Sequence, residues 1–93
     1  MSVGPGGRVS VGADVHVREF DGSLVILDLA RGDYFGVDEV GAKLWEGLAR
    51  GESPAEVAAA IGPDYDVDPG VLERDLVRLT DELVARGLVT PRR

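Results

Sequence analysis

The first third of the chain alternates between apolar and polar positions with a period of two. Valines at positions 9, 11, 15 and 17 alternate mainly with polar residues, which predicts a first strand with one face in the core. Asp21-Gly22 follows as a hairpin turn, because glycine tolerates positive φ and aspartate bonds its own backbone. Residues 24–27 are continuously apolar and predict a central, well-buried strand.

A second turn at residues 30–32 precedes a short strand at Asp33–Val37. This strand pairs with only one sequence neighbour, so we expect it to lie at the edge of an antiparallel sheet. Successive side chains of a strand point to opposite faces. We expect Phe35 and Val37 to face inward and Tyr34 to face outward.

From Asp38 onward the apolar residues recur with helical spacing. Asp38 is placed to cap a first helix whose apolar side includes Leu44 and Trp45 and which ends at Gly51. Residues 53–56 combine a capping box with proline at the first helical position, and they open a short second helix.

The third helix is the longest. Asp68-Pro69 opens it, it runs to about Arg86, and Gly87 terminates it. Leu88 and Val89 are apolar beyond that end and are expected to pack back against the core.

Three strands followed by three helices predict an α+β fold of the winged helix-turn-helix type, with a three-stranded antiparallel sheet. Residues 1–8 contain three glycines and a proline and are expected to form a flexible N-terminal tail. Residues 9–90 are expected to form a single domain, because 93 residues is near the size at which one core suffices.

The composition narrows the possible functions. The chain has no cysteine, which excludes disulfides, thiolate metal sites and cysteine nucleophiles. No apolar run approaches the ~20 residues that span a membrane, and the first residues lack the pattern of a signal peptide, so we expect a cytoplasmic protein with no membrane partner. Seventeen acidic against ten basic residues give a net charge of −7, which argues against nucleic-acid binding.

No catalytic or metal site is predicted. His16 is the sole histidine and falls on the exposed side of the first strand, and Ser53 is explained as a helix cap. Aspartates 64, 66 and 68 alternate as in a calcium loop, but the required glycine and distant glutamate are missing. We therefore expect a protein that is not an enzyme and holds no cofactor.

Residues 24–89 contain a series of motifs in a fixed order. They are Leu27-Asp28 with Gly32, the continuous run of residues 34–45, residues 53–61, and Asp75-Leu76, Leu79, Leu83 and Gly87-Leu88-Val89. In these positions the chain resembles the PqqD-like family of RiPP recognition elements, which bind ribosomally made precursor peptides. The order and spacing of these positions are more specific than any one of them. The family usually has asparagine where this chain has Asp38, and either residue is able to cap a helix.

The run around Gly32 to Trp45 is most similar to the stand-alone proteins of lasso-peptide biosynthesis, and the other home of the family is a redox-cofactor pathway. The resemblance implies that the chain binds the leader of a precursor peptide. It also implies delivery of that leader to a separate leader peptidase and to a cyclase.

In the family, the leader adds as an extra strand beside the third strand and lies against the last helix, and the sequence is compatible with that mode. Gly36 leaves room for close approach of another backbone, although it is equally well read as a bulge or bend. The predicted peptide-binding residues are Asp33, Tyr34, Phe35, Gly36, Val37, Leu72, Asp75, Leu76, Leu79 and Leu83.

Four leucines of the last helix, at positions 72, 76, 79 and 83, fall in one stripe. Val77, Thr80 and Val84 widen that stripe to roughly 160°, which is more than the ~100° that one core contact requires. Either the helix contacts a second partner beyond the core, or it packs between the sheet and first helix with help from the tail. Charged residues at 75, 82 and 86 border the stripe and are read either as leader contacts or as solvated.

Two other functions remain open at this point. A winged-helix DNA-binding protein needs positive charge on its recognition helix, whereas the second helix offers only Glu56. A dimerising regulatory protein would use the wide stripe of the last helix for self-association.

Overall fold

The structure is a computed structural model of the 93-residue chain, and it describes residues 3–92. Within that range the elements follow one another as β1 (Val9–Val11), β2 (Val15–Phe20), β3 (Ser23–Asp28), β4 (Asp33–Val37), α1 (Glu39–Ala49), α2 (Pro54–Ile61), α3 (Pro69–Ala85) and β5 (Val89–Pro91). The strands β2, β3 and β4 form an antiparallel sheet in that order, and three helices follow it. The predicted α+β fold is confirmed.

Both predicted turns of the sheet are present. Asp21 and Gly22 have positive φ angles of 50° and 87°, as a two-residue hairpin connection requires. Gly32 has a φ of 74° in the second turn. The buried carboxylate of Asp28 accepts hydrogen bonds there from the backbone N–H groups of Ala30 (3.1 Å) and Arg31 (3.2 Å). Backbone conformation and a buried acceptor together fix the path from β3 to β4.

The predicted first strand is in fact two strands in different sheets. The chain turns between β1 and β2, where the N–H of Gly12 donates to the C=O of Leu88 at 3.1 Å. β1 pairs with β5 in an antiparallel two-stranded sheet, with Val11 opposite Val89. Val9 is fully buried, whereas Val17 is 42 % exposed. The expectation of one dry face shared by all four valines was wrong, because pairing with the C-terminal end separates the two halves.

The helix caps agree with the sequence. Asp38 accepts from the N–H of Gly41 at 2.9 Å, and Asp68 accepts from the N–H of Gly70 at 2.8 Å. Ser53 and Glu56 form the reciprocal capping box at the start of α2. Each cap satisfies N–H groups that have no partner inside the helix. The starts of the three helices are therefore encoded locally.

The core lies between the three helices and the inner face of the sheet. Its most deeply buried large side chains include Ile26 of β3, Leu44 and Leu48 of α1, and Leu76 and Leu83 of α3. The predicted packing of Leu88 and Val89 against the core is confirmed, since they are 3 % and 1 % exposed. This core fixes the position of α3 relative to β4.

Part of the predicted flexible tail lies against the body of the protein. The N–H of Val3 donates to the carboxylate of Asp81 on α3 at 2.7 Å, and the C=O of Pro5 accepts from the N–H of Ala55 at 2.8 Å. Val3 and Val84 both pack against the core, and they line opposite sides of a cavity of about 770 Å³ between this segment and α3. Residues 1 and 2 of the predicted tail lie outside the described residues, and its flexibility stays a prediction.

A surface ion pair ties this N-terminal segment to α2. The guanidinium of Arg8 donates to the carboxylate of Glu56 and to the C=O of Gly51 (2.7 Å). The hydrogen bond from Arg8, followed by that from the Ser53 backbone, lowers the pKa of Glu56 from 4.5 to about 2. A depressed folded-state pKa stabilises the fold fully above the unfolded value and loses that effect as the pH falls towards 2.

We therefore expect Arg8→Ala to weaken the pH dependence of the melting temperature in the acid range. The wild type should lose stability between pH 4.5 and about 2 through this pair, and the variant should lose less over the same window. Thermal melts followed by circular dichroism at several pH values would measure the two slopes. Equal slopes would contradict the assigned role of Arg8, and Arg50→Ala, which removes a different surface pair, serves as the control.

Candidate peptide-binding groove

The backbone N–H and C=O groups of β3 point alternately towards β2 and β4. This alternation determines which N–H and C=O groups of β4 have no partner in β3. The N–H of Leu29 donates to the C=O of Asp14 at 3.0 Å, on the side of β2. Successive residues in an antiparallel ladder direct their N–H and C=O groups to alternate sides. The odd-numbered residues of β3 therefore bond β2, and the even-numbered residues bond β4. The C=O of Asp28 is consistent with this assignment, because it accepts a hydrogen bond from the N–H of Gly32 on the β4 side at 2.8 Å.

The register then assigns the free edge of β4 residue by residue. Asp33, Phe35 and Val37 stand opposite the even-numbered residues of β3 and use their backbone groups within the sheet. Tyr34 and Gly36 direct their N–H and C=O groups away from β3. The order β2-β3-β4 places no described strand on that side. Tyr34 and Gly36 thus offer two donors and two acceptors to an added chain.

Gly36 lies in regular strand. The one-to-one register continues through Gly36 opposite Val25 and Val37 opposite Leu24, so there is no bulge at this position. A Cβ atom placed on Gly36 would have no atom of the chain within 4 Å outside its immediate neighbours. Neither a bulge nor a close contact within the chain explains the glycine.

The side chains of β4 face the directions predicted from the sequence. Phe35 and Val37 are partly buried and pack against the core, whereas Tyr34 is 73 % exposed. The expected orientation of these three residues is confirmed. Asp33 is exposed at the start of the strand and lies near Arg31, with 3.6 Å between carboxylate and guanidinium.

One face of α3 lies beside β4. The guanidinium of Arg86 stacks on the ring of Phe35 at 4.5 Å from its centroid. At the other end of β4, Gly41 of α1 allows β4 and α3 to lie close together. A Cβ atom at this position would lie 2.7 Å from Val37 Cβ and 3.3 Å from Leu79 Cδ2. The β4–α3 groove is the surface between the free edge of β4 and this face of α3.

The α3 side of the β4–α3 groove combines one leucine with charged residues. Asp75, Leu79, Glu82 and Arg86 recur every three or four residues and therefore share a face of α3. Leu79 is partly buried and Asp75 is exposed. Arg86 pairs with Glu82 at 3.5 Å, and Arg78 lies 3.7 Å from Asp75. With Arg78 beside Asp75, this side of α3 carries two acidic and two basic side chains, so it has no strong net charge.

The other three predicted leucines belong to the core. Leu72, Leu76 and Leu83 are 7 %, 2 % and 1 % exposed. They hold α3 on the body of the protein, and only Leu79 of the predicted leucines is partly open towards the groove. The wide stripe of α3 therefore belongs mainly to the core, with Val84 at the cavity beside the N-terminal segment and Leu79 at the groove.

A small cavity at one end of the groove was not predicted from the sequence. It has a volume of about 190 Å³ and lies between the start of β4 and the end of α3, and its lining includes Arg31, Phe35, Ala85, Arg86 and Leu88. The guanidinium of Arg31 also donates to the C=O of Arg86 at 3.1 Å, which links the turn before β4 to the end of α3. The position of Arg31 in the turn, two residues before the start of β4, was the signal available in the sequence.

Within residues 3–92 no group of three or more histidine, aspartate or glutamate side chains is placed to hold a metal ion. No helix in the same range is both long and apolar enough to cross a membrane. The chemistry that the groove offers is hydrogen bonding at a strand edge, beside a leucine and an aromatic ring.

Comparisons with known proteins show the family and the fold of this chain. The family model described as coenzyme PQQ synthesis protein D (PqqD) matches residues 23–89. A solved structure described as TbiB1 in complex with the TbiA(beta) leader peptide is 35 % identical, with a TM-score of 0.78 over 86 % of this chain and 93 % of that chain. A structure described as lasso peptide synthetase B1 complexed with the leader peptide is 28 % identical, with a TM-score of 0.81 over 90 % and 99 %. No curated protein matches significantly.

Proposed function

The chain belongs to the PqqD family, and from this membership we propose that it is a recognition element for the leader of a ribosomally made precursor peptide. The observation that carries the proposal is the free edge of β4 beside α3. The two structures compared above are complexes with leader peptides, and their fold spans nearly the whole of this chain. Lasso-peptide biosynthesis is therefore the pathway that we favour.

In the proposed mode, the leader adds as a fourth strand beside β4. Its backbone bonds the N–H and C=O groups of Tyr34 and Gly36, which face away from β3. Its side chains on the inner side contact Phe35 and Leu79. Burial of one large apolar side chain stabilises such a complex by about 1.5–3 kcal/mol, and ordering of the peptide offsets part of this gain. The proposed contact residues are Asp33, Tyr34, Phe35, Gly36, Val37, Asp75 and Leu79.

The free edge of β2 is a weaker site for strand addition. Residues 16–20 of β2 are all exposed, so a chain added there would gain backbone bonds but little apolar burial. The edge of β4 differs because the partly buried Phe35 and Leu79 lie next to it. This difference supports β4 as the binding edge.

The protein's role after binding is also part of the proposal. It presents the bound leader to a separate leader peptidase and to a cyclase, and it performs no chemistry itself. The sites of catalysis then lie in those partners, which is why this chain needs only a groove. A cytoplasmic location stays a prediction.

A titration tests the proposal directly. A fluorescent peptide with the leader sequence of the precursor encoded beside this protein should bind saturably, with a Kd between about 1 nM and 10 µM. A scrambled peptide of the same composition should not bind. Equal binding of both peptides, or no binding to protein that is folded by circular dichroism, would contradict the proposed function.

A further inference from the structure

A strand added to β4 would point every second side chain towards α3. Leu24, Ile26 and Asp28 of β3 are buried, whereas the residues between them are only partly buried. The sheet therefore packs on its inner face only, contrary to the expectation from the continuous apolar run of β3. Asp33 and Phe35 of β4 stand opposite Asp28 and Ile26 and share this inner face. Leader residues opposite Asp33 and Phe35 would also point inward, two positions apart in the leader.

The small cavity at the end of the β4–α3 groove lies where the inward leader side chain nearest the start of β4 would enter. Its volume of about 190 Å³ corresponds to roughly six water molecules at about 30 Å³ each, which is room for one side chain. The described lining includes two basic residues, Arg31 and Arg86, and one acidic residue, Asp33. In a chain of net charge −7, this cavity is therefore lined by more positive than negative groups.

The two guanidinium groups at this cavity have only loose ion pairs within the chain. Arg31 lies 3.6 Å from the carboxylate of Asp33, and Arg86 lies 3.5 Å from that of Glu82. Both separations exceed the about 2.7–2.9 Å of a charge-assisted hydrogen bond. About half or more of each of these four side chains is exposed, and exposed pairs contribute little to stability. A carboxylate brought by another molecule would therefore displace weak contacts and form stronger ones.

Other contacts hold both guanidinium groups in place beside the cavity. Arg31 donates to the C=O of Arg86 at 3.1 Å, and Arg86 stacks on the ring of Phe35 at 4.5 Å from its centroid. A stacked guanidinium keeps the N–H donors at its edge available, because they lie in the plane of the group. The end of α3 contributes a partial negative charge of about half a unit, which opposes an anion. Two full positive charges outweigh it, so the cavity favours a carboxylate.

We propose that this cavity selects leaders with an aspartate or glutamate two positions from the apolar residue that contacts Phe35 and Leu79, and that Arg31 and Arg86 bind its carboxylate. The inference rests on the proposed function, because it assumes a leader strand beside β4. Aspartate and glutamate are the only side chains of an unmodified peptide that are fully ionised anions at neutral pH. The acidic chain repels an anion elsewhere, so this cavity makes the acidic position specific.

Three fluorescent peptides test the proposal: the leader encoded beside this protein, the same leader with the acidic residue changed to its amide, and one with lysine at that position. For the wild type, the amide should lower the affinity about tenfold, which corresponds to about 1.4 kcal/mol. Arg31→Glu should lower the affinity for the native leader at least as much. The lysine leader should bind Arg31→Glu better than the native leader does. A merely structural role of Arg31 would not give this reciprocal rescue.

Arg74→Glu is the matched control, since it changes the net charge of the chain by the same amount as Arg31→Glu. Arg74 is exposed on α3, and it lies one residue before Asp75 and so about 100° around the helix from the groove. Its affinities for the three peptides should follow those of the wild type, and melting curves should show that both variants are folded. Equal binding of the native and amide leaders by the wild type, no rescue by lysine in Arg31→Glu, or the same rescue in Arg74→Glu would overturn the inference.

Failure of the proposed function gives a different readout. The folded wild type would then bind neither the native leader nor its amide variant saturably. If the wild type binds both peptides with the same affinity, leader binding stands and the selection of an acidic residue is contradicted. Saturable binding of a native leader that has no aspartate or glutamate at this spacing would contradict it as well.

Discussion

Replacement of Gly36 by proline is expected to reduce the affinity for the leader peptide at least about 30-fold while leaving the fold intact. Proline removes the N–H that Gly36 directs away from β3, so the ladder between β3 and β4 loses no bond. The added leader would lose one hydrogen bond and would leave its own carbonyl unpaired beside the ring. The two effects together amount to about 2 kcal/mol. Fluorescence titration and a thermal melt of the same sample would measure both properties.

Gly36→Ala is the control that distinguishes the loss of the Gly36 N–H from the loss of free space beside residue 36. Alanine keeps the N–H, and its Cβ would enter a region with no atom of the chain within 4 Å. Its affinity should stay within about threefold of the wild type if the lost donor explains the proline variant. An unchanged affinity in folded Gly36→Pro would exclude strand addition at β4. A large loss in Gly36→Ala would instead show that close approach of the leader backbone requires glycine.

Two leucines three residues apart on α3 are expected to respond in opposite ways to truncation. Leu76→Ala should lower the free energy of unfolding by about 2–5 kcal/mol, because Leu76 is 2 % exposed and its removal leaves a cavity. This is a large part of the about 5–14 kcal/mol expected for a domain of this size. Leu79→Ala should weaken leader binding about tenfold, with a smaller loss of stability, because Leu79 is only partly buried.

Urea denaturation gives the two stabilities, and titration at protein concentrations corrected for the folded fraction gives the two affinities. The test compares the loss of stability with the loss of leader affinity in each variant, and each variant serves as the other's control. If Leu79→Ala binds the leader as the wild type does, the α3 side of the β4–α3 groove is wrongly assigned. If Leu76→Ala lowers affinity as much as Leu79→Ala at equal folded fraction, the buried leucines contribute to the site directly.

The local features of the fold were predictable because their signals lie within a few residues. The Asp21-Gly22 turn needs only two residues with positive φ, and both have it. Asp38, Ser53 and Asp68 cap their helices through hydrogen bonds that reach two or three positions along the chain. Such bonds join residues that are close in the sequence, and so the sequence alone identifies them.

The candidate site was predictable only in part, because some of its features depend on residues that are distant in the sequence. The alternation of Tyr34, Phe35 and Val37 gave their directions correctly, since strand geometry dictates which side chains share a face. The stripe on α3 gave the right helix but did not separate Leu79 from its buried neighbours. Within one apolar stripe, the packing partners determine which residues remain accessible, and these partners are distant in the sequence.

The sequence by itself determined the strands β3 and β4, the three helices, their caps and turns, and the resemblance to the PqqD family, because each depends on short-range patterns. Only the tertiary structure decided that β1 leaves the sheet to pair with β5, with Val9 opposite Pro91 at the other end of the chain. It also decided which backbone groups of β4 stay free, and that one side of β3 lies uncovered. These properties depend on contacts between segments far apart in the chain, whose free energy is set by the packing of the whole domain rather than by any local pattern.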